Sequence, residues 1–143
     1  MKIDEYIFTL HKYFIWADRM RYHFKQILED GCQSINSKER ILANLYMSCW
    51  YGHIYVVIEG WKKLGLSDTK IDKLLKSPNV DLLKLYRNGV FHFHKNYLGE
   101  PFLGFIQKGQ NSVQWVHELH NEFSRFFLNW ADYKKGRKNV IQF

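Results

Sequence analysis

Residues 37–65 read SKERILANLYMSCWYGHIYVVIEGWKKLG, and the fold class turns on them. The β-branched run from Ile54 to Ile58 would suit a strand, because branched side chains pack well on a pleated surface. Around it, however, Leu42, Leu45, Cys49, His53, Val56, Gly60 and Leu64 recur at spacings of three and four. That is the period of a helix. Ser37 opens a polar Lys-Glu-Arg turn and Gly65 stands where a helix would stop, so a single helix is expected across the stretch.

The flanking segments follow the same period. Ile3, Ile7, Leu10, Phe14, Ala17, Phe24 and Leu28 mark a helix over 3–29, with Gly31 as its stop signal. Ser67-Asp68-Thr69-Lys70 opens a short helix that ends at Ser77-Pro78. Asn79 is placed to cap the next helix, which runs to about His94 with Asp81 near its positive end. Residues 95–111 contain Gly99, Pro101, Gly104 and Gly109, and are expected to form a loop folded back on the bundle as a short hairpin. Ser112 caps a last long helix whose stripe is Val113, Val116, Leu119, Phe123, Phe126, Phe127 and Trp130. The fold class is therefore all-α, an antiparallel bundle of four to five helices over residues 1–133, followed by a frayed basic tail at 134–143.

Of the 143 residues, 46% are hydrophobic and 17% aromatic, the composition of a packed chain and not of a disordered one. No apolar run approaches the roughly 20 residues that cross a bilayer, and the N-terminus lacks a secretory pattern. Cys32 and Cys49 are not in a Cys-x-x-Cys spacing. A soluble chain in a reducing, cytoplasmic setting, without a membrane partner, is expected. The net charge of +7 points to a polyanion, with nucleic acid ahead of membrane.

The chemistry concentrates on residues 79–94. At about 100° per residue, with Arg87 at zero, Leu82, Tyr86, Gly89, Val90 and Phe93 share one arc and are expected to face the core. Lys84, Asn88, Phe91, His92 and Lys95 fall on the other side. An exposed Phe91 amid polar groups suggests a subunit interface. Arg87 and His92 lie about 140° apart on such a helix, so one copy would struggle to aim both at one phosphate. Two copies across a two-fold axis would surround a shared cleft.

Arg87-Asn88-x-x-x-His92, carried on a helix of a small basic bundle, resembles the signature of the HEPN (higher eukaryotes and prokaryotes nucleotide-binding) domains, many of which are RNases of toxin and defence systems. The resemblance covers the domain in outline and three residues in detail. It implies a homodimeric, metal-independent endoribonuclease without a cofactor, in which the RNA 2′-hydroxyl attacks the adjacent phosphate and leaves a 2′,3′-cyclic end. His92 would be the general acid or base, since imidazole titrates near neutrality. Arg87 would brace the phosphate with its planar fork and Asn88 would orient it. Lys84, His94 and Lys95 would add substrate contacts, and a protein antitoxin is admitted as a partner. Family members paired with a nucleotidyltransferase commonly end the motif in His-x-Tyr; here it reads His92-Phe93-His94, so tyrosine modification is not expected.

Two alternatives stand beside this one. The same dimer could hold RNA, a nucleotide or a protein without turnover. Alternatively, His53, His94, His117 and His120 could serve a metal-dependent enzyme, His117 and His120 having a spacing able to grip one ion. Ordinary boundary histidines are the plainer account of that set. Trp16, Trp50, Trp61, Trp115 and Trp130 mostly continue apolar stripes and are expected in the core rather than under bases. Lys70, Lys73 and Lys76 suit either a solvated face or a phosphate track.

Overall fold

The computed structural model describes residues 2–30, 37–96 and 99–141. It is an all-α bundle of six helices among the described residues: α1 (Lys2–Asp30), α2 (Ser37–Lys63), α3 (Thr69–Leu74), α4 (Asn79–Phe91), α5 (Glu100–Lys108) and α6 (Ser112–Ile141). The stop expected at Gly31 and the thiol of Cys32 lie outside the described residues.

α2 forms the centre. Its residues Trp50, Ile54, Val57, Ile58 and Trp61 are buried, and α1 and α4 pack along it. This moves its core face away from the expected stripe, on which Leu45 is exposed and His53 only half-buried. A helix with neighbours on several sides is apolar on several sides, so no single stripe identifies its buried face. The same packing accounts for a second departure. By length and composition, residues 38–63 pass for a bilayer-crossing helix, because an 18-residue stretch within them has a mean hydropathy of 1.3. In this fold Trp50, Ile54, Val57, Ile58 and Trp61 of this stretch are in the core, while Ile41 and Leu45 are exposed.

The stripes of α1 and α6 reach the core in their middle turns, whereas their outer members Ile3, Leu28 and Val113 are exposed. α1 contributes Ile7, Leu10, Phe14 and Ala17 to the core, and α6 contributes Val116, Leu119, Phe123 and Phe127. α3 is capped by Asp68, whose Oδ1 accepts from the N–H groups of Lys70 and Ile71. Trp61 donates to Asp72 on α3, and Trp115 donates to the Leu74 carbonyl. The basic tail expected from residue 134 on continues α6 as far as Ile141, and Lys134 pairs with Asp4 of α1.

Two local expectations are corrected. Asn79 does not cap α4. Its side chain is buried and bonds Gln110 twice, Nδ2 donating to the carbonyl and Oδ1 accepting the N–H, each at 2.8 Å. The segment expected as a hairpin holds α5 instead. Gly99-Glu100-Pro101 starts it, with proline where the missing N–H costs nothing. Phe102 and Phe105, three residues apart, both reach the Tyr86 ring at 5.3 and 5.8 Å.

A polar group sits deep in this core. His120 is fully buried; Trp50 Nε1 donates to its Nδ1 at 2.9 Å, and its Nε2 lies 2.9 Å from Asp18 Oδ1. With Nδ1 accepting, the neutral ring must carry its proton on Nε2 and donate it to Asp18. A second proton would set Nδ1–H against the tryptophan N–H. Burial, outweighing the bond to Asp18, accordingly lowers the His120 pKa from 6.5 to about 4. Between those values the unfolded chain binds a proton that the folded chain refuses, so stability is intact above pH 6.5 and falls as the pH drops toward 4. The loss should approach about 3 kcal/mol. Urea melts at pH 7 and pH 4 check this, and His120→Leu should flatten most of the slope.

Candidate functional site

Only thirteen residues long, α4 carries the Arg-Asn motif in its last two turns. Its buried residues are Asn79, Val80, Leu83 and Tyr86, an arc turned by roughly 60° toward Arg87 from the one expected. Arg87 is therefore half-buried rather than outward. It reaches α2, where Nη1 donates to Glu59 Oε2 at 3.2 Å and the guanidinium lies 4.7 Å from the Tyr55 ring centre. Its Nε donates to Asn88 Oδ1 at 2.9 Å. The motif's first two residues are thus brought together. Among the described residues, no hydrogen bond of Nη2 is found.

Glu59 holds two cations at once, Lys63 on Oε1 at 3.1 Å and Arg87 on Oε2. Hydrogen bonding from Lys63 and then Arg87 lowers its pKa. Sequence reasoning missed Glu59, although it was marked: it is the only acid between Arg40 and Lys62. An isolated acid in so apolar a helix calls for a partner.

The helix ends one turn past Arg87. His92 takes an extended conformation as C-cap, its N–H donating to the Asn88 carbonyl at 3.0 Å, and its side chain is exposed. The helical angle of 140° between Arg87 and His92 therefore does not apply. Phe93, expected in the core, is 93% exposed, because the chain has left the helix before reaching it. Phe91, at 49% exposure, leans on Gly52, where an added Cβ would come within 3.0 Å of its ring, and meets His53 edge to face at 5.9 Å. Gly89 plays a similar part on the other flank: a Cβ there would lie 2.8 Å from Pro101 Cβ, so its absence lets α5 approach α4.

Among the described residues, no hydrogen bond links the expected substrate contacts Lys84, His94 and Lys95 to Arg87, Asn88 or His92. Lys84 and Lys95 are exposed and enter no ion pair among the described residues. His94 has its Nδ1 3.2 Å from the Asn96 N–H, which donates to it, and its ring lies over Gly99. The four histidines of the metal alternative do not converge. His120 is occupied by Trp50 and Asp18, His53 by the Cys49 carbonyl and His94 by Asn96. Among the described residues, no three His, Cys, Asp or Glu side chains group as a metal site would require.

No protein-family model matches the chain, and no curated protein or solved structure does either.

Proposed function

We propose that the chain is a HEPN-like, homodimeric endoribonuclease whose site forms around the C-terminal end of α4 and needs no metal. The observation that carries this is the Arg87–Asn88 hydrogen bond, which orients the guanidinium on the last turns of α4, the helix that the exposed His92 caps. Tyr55 and Glu59 hold the same guanidinium from behind. A preorganised fork is what stabilises charge as it develops on phosphorus. His92 would take the 2′-hydroxyl proton or return one to the leaving 5′-oxygen, with the cyclic phosphate as product. Lys84 and Lys95 would draw the polyanion in.

Dimerisation belongs to this proposal, since exposed apolar residues cluster on and just beyond α4. Leu85 is 53% exposed and Phe93 nearly fully. Phe93→Glu disturbs no packing within the chain, so it should convert a dimer to monomers in sedimentation. A parent chain that is already monomeric at micromolar concentration would remove the shared cleft.

A second reading is favoured by the Arg87–Glu59 pair. That carboxylate already neutralises the guanidinium within its own subunit, as suits a dimer that binds RNA, a nucleotide or a protein without cutting. Incubating the protein with single-stranded RNA in excess EDTA separates the two. Cleavage that survives chelation and leaves cyclic phosphate ends supports the nuclease. Binding without cleavage supports the module, and cleavage lost with chelator favours a metal-dependent enzyme.

A further inference from the structure

Trp16 is 46% exposed, in contrast to the buried Trp50, Trp61 and Trp115. It belongs to a row of rings crossing three helices. Tyr13 meets Trp16 edge to face at 5.3 Å, Trp16 meets His53 at 5.9 Å, and His53 meets Phe91 at 5.9 Å. The row ends one residue from His92. Its other end is also continuous with the motif, since a groove of about 320 Å³ runs between Tyr13 and Glu59, the partner of Arg87.

Cations accompany these rings. Lys12 Nζ lies 4.7 Å from the Tyr13 centroid and 5.1 Å from that of Trp16. Arg19 repeats the arrangement on Tyr22 at 5.5 Å, and Arg87 on Tyr55. Lysine is depleted at protein–protein interfaces, whereas aromatic faces interleaved with lysine and arginine are how single-stranded nucleic acid is held. At the centre of the row His53 is oriented by the Cys49 carbonyl, which lies 2.6 Å from Nδ1 and can only accept, so Nδ1 carries a proton.

We infer that Lys12, Tyr13, Trp16, His53 and Phe91 form a stacking strip for the unpaired bases of a single-stranded polynucleotide leading into the Arg87–His92 site. This rests on the RNA reading proposed above. A base stacked on an exposed tryptophan gains more than a lysine does over the same ring. The arriving base therefore displaces Lys12, and the freed ammonium pairs with the neighbouring phosphate. Bases in a duplex are stacked on one another and cannot use the strip.

The test is fluorescence anisotropy with a labelled twelve-nucleotide oligouridylate and a twelve-base-pair RNA duplex. Trp16→Ala should weaken single-strand binding by about tenfold and leave duplex binding unchanged. Trp16→Phe, which restores a ring, should recover most of the loss. Equal weakening on both RNAs, or none on either, overturns the strip while leaving the nuclease proposal standing. A Trp16→Ala chain that changes oligomeric state but binds RNA as before also overturns it and makes this face a protein contact. Failure of the parent chain to bind either RNA overturns both.

Discussion

His92→Ala should cleave RNA about a thousandfold more slowly than the parent chain and melt at the same temperature. The rate follows from general acid–base catalysis, which contributes on the order of 10²- to 10⁴-fold when one positioned side chain handles the proton. The unchanged stability follows from the site. The imidazole is exposed, and the only bond described at this residue comes from its backbone N–H, which alanine keeps. Surface truncations of this kind stay within about 0.5 kcal/mol. Arg87→Ala is a less clean partner experiment, because it also strips Glu59 and Tyr55 of their contact. Single-turnover cleavage, read beside a thermal melt, separates chemistry from folding. A His92→Ala chain that retains full cleavage would end the proposed role of the α4 terminus.

Trp50→Ala carries the largest expected effect on the fold, a loss of about 3–5 kcal/mol. The indole is wholly buried at the junction of α1, α2 and α6. Tyr51 lies 5.0 Å from it, His117 5.2 Å, His120 5.7 Å and Phe24 5.9 Å between ring centres. Truncation leaves a cavity and removes the donor to His120 Nδ1, stranding a buried acceptor. Against a total stability of about 5–15 kcal/mol, the melting temperature should fall by roughly 10 °C or more. Trp50→Phe refills most of the space without the donor and should cost about half as much. Equal losses in both variants would show that the hydrogen bond, and not the volume, dominates.

The all-α class was legible because helical spacing persists on both sides of the branched run at Ile54–Ile58. α6 was largely legible in register as well: Val116, Leu119, Phe123 and Phe127 of its stripe are in the core, while Val113 is exposed. α4 was legible as a helix but not in its rotation. Val80 and Leu83 reach the core ahead of Val90 and the expected Phe93, and that choice is made by α2 and α5 rather than by local sequence. The same rotation carries Arg87 against Glu59, 28 residues away, a pairing that no spacing rule within α4 could reveal. The end of the helix at Phe91 was equally hidden. His94 lies over Gly99 beyond it, so tertiary packing takes part in holding the chain out of the helix there.

The amide of Asn79 has a mechanical meaning. By bonding both backbone groups of Gln110, it ties together two points 31 residues apart and closes everything between them into a ring. The proposed Arg87–His92 site lies inside that ring, with α5 as its far side. Separating α5 from α4 therefore means breaking the Asn79 knot as well as the ring contacts of Phe102 and Phe105 with Tyr86.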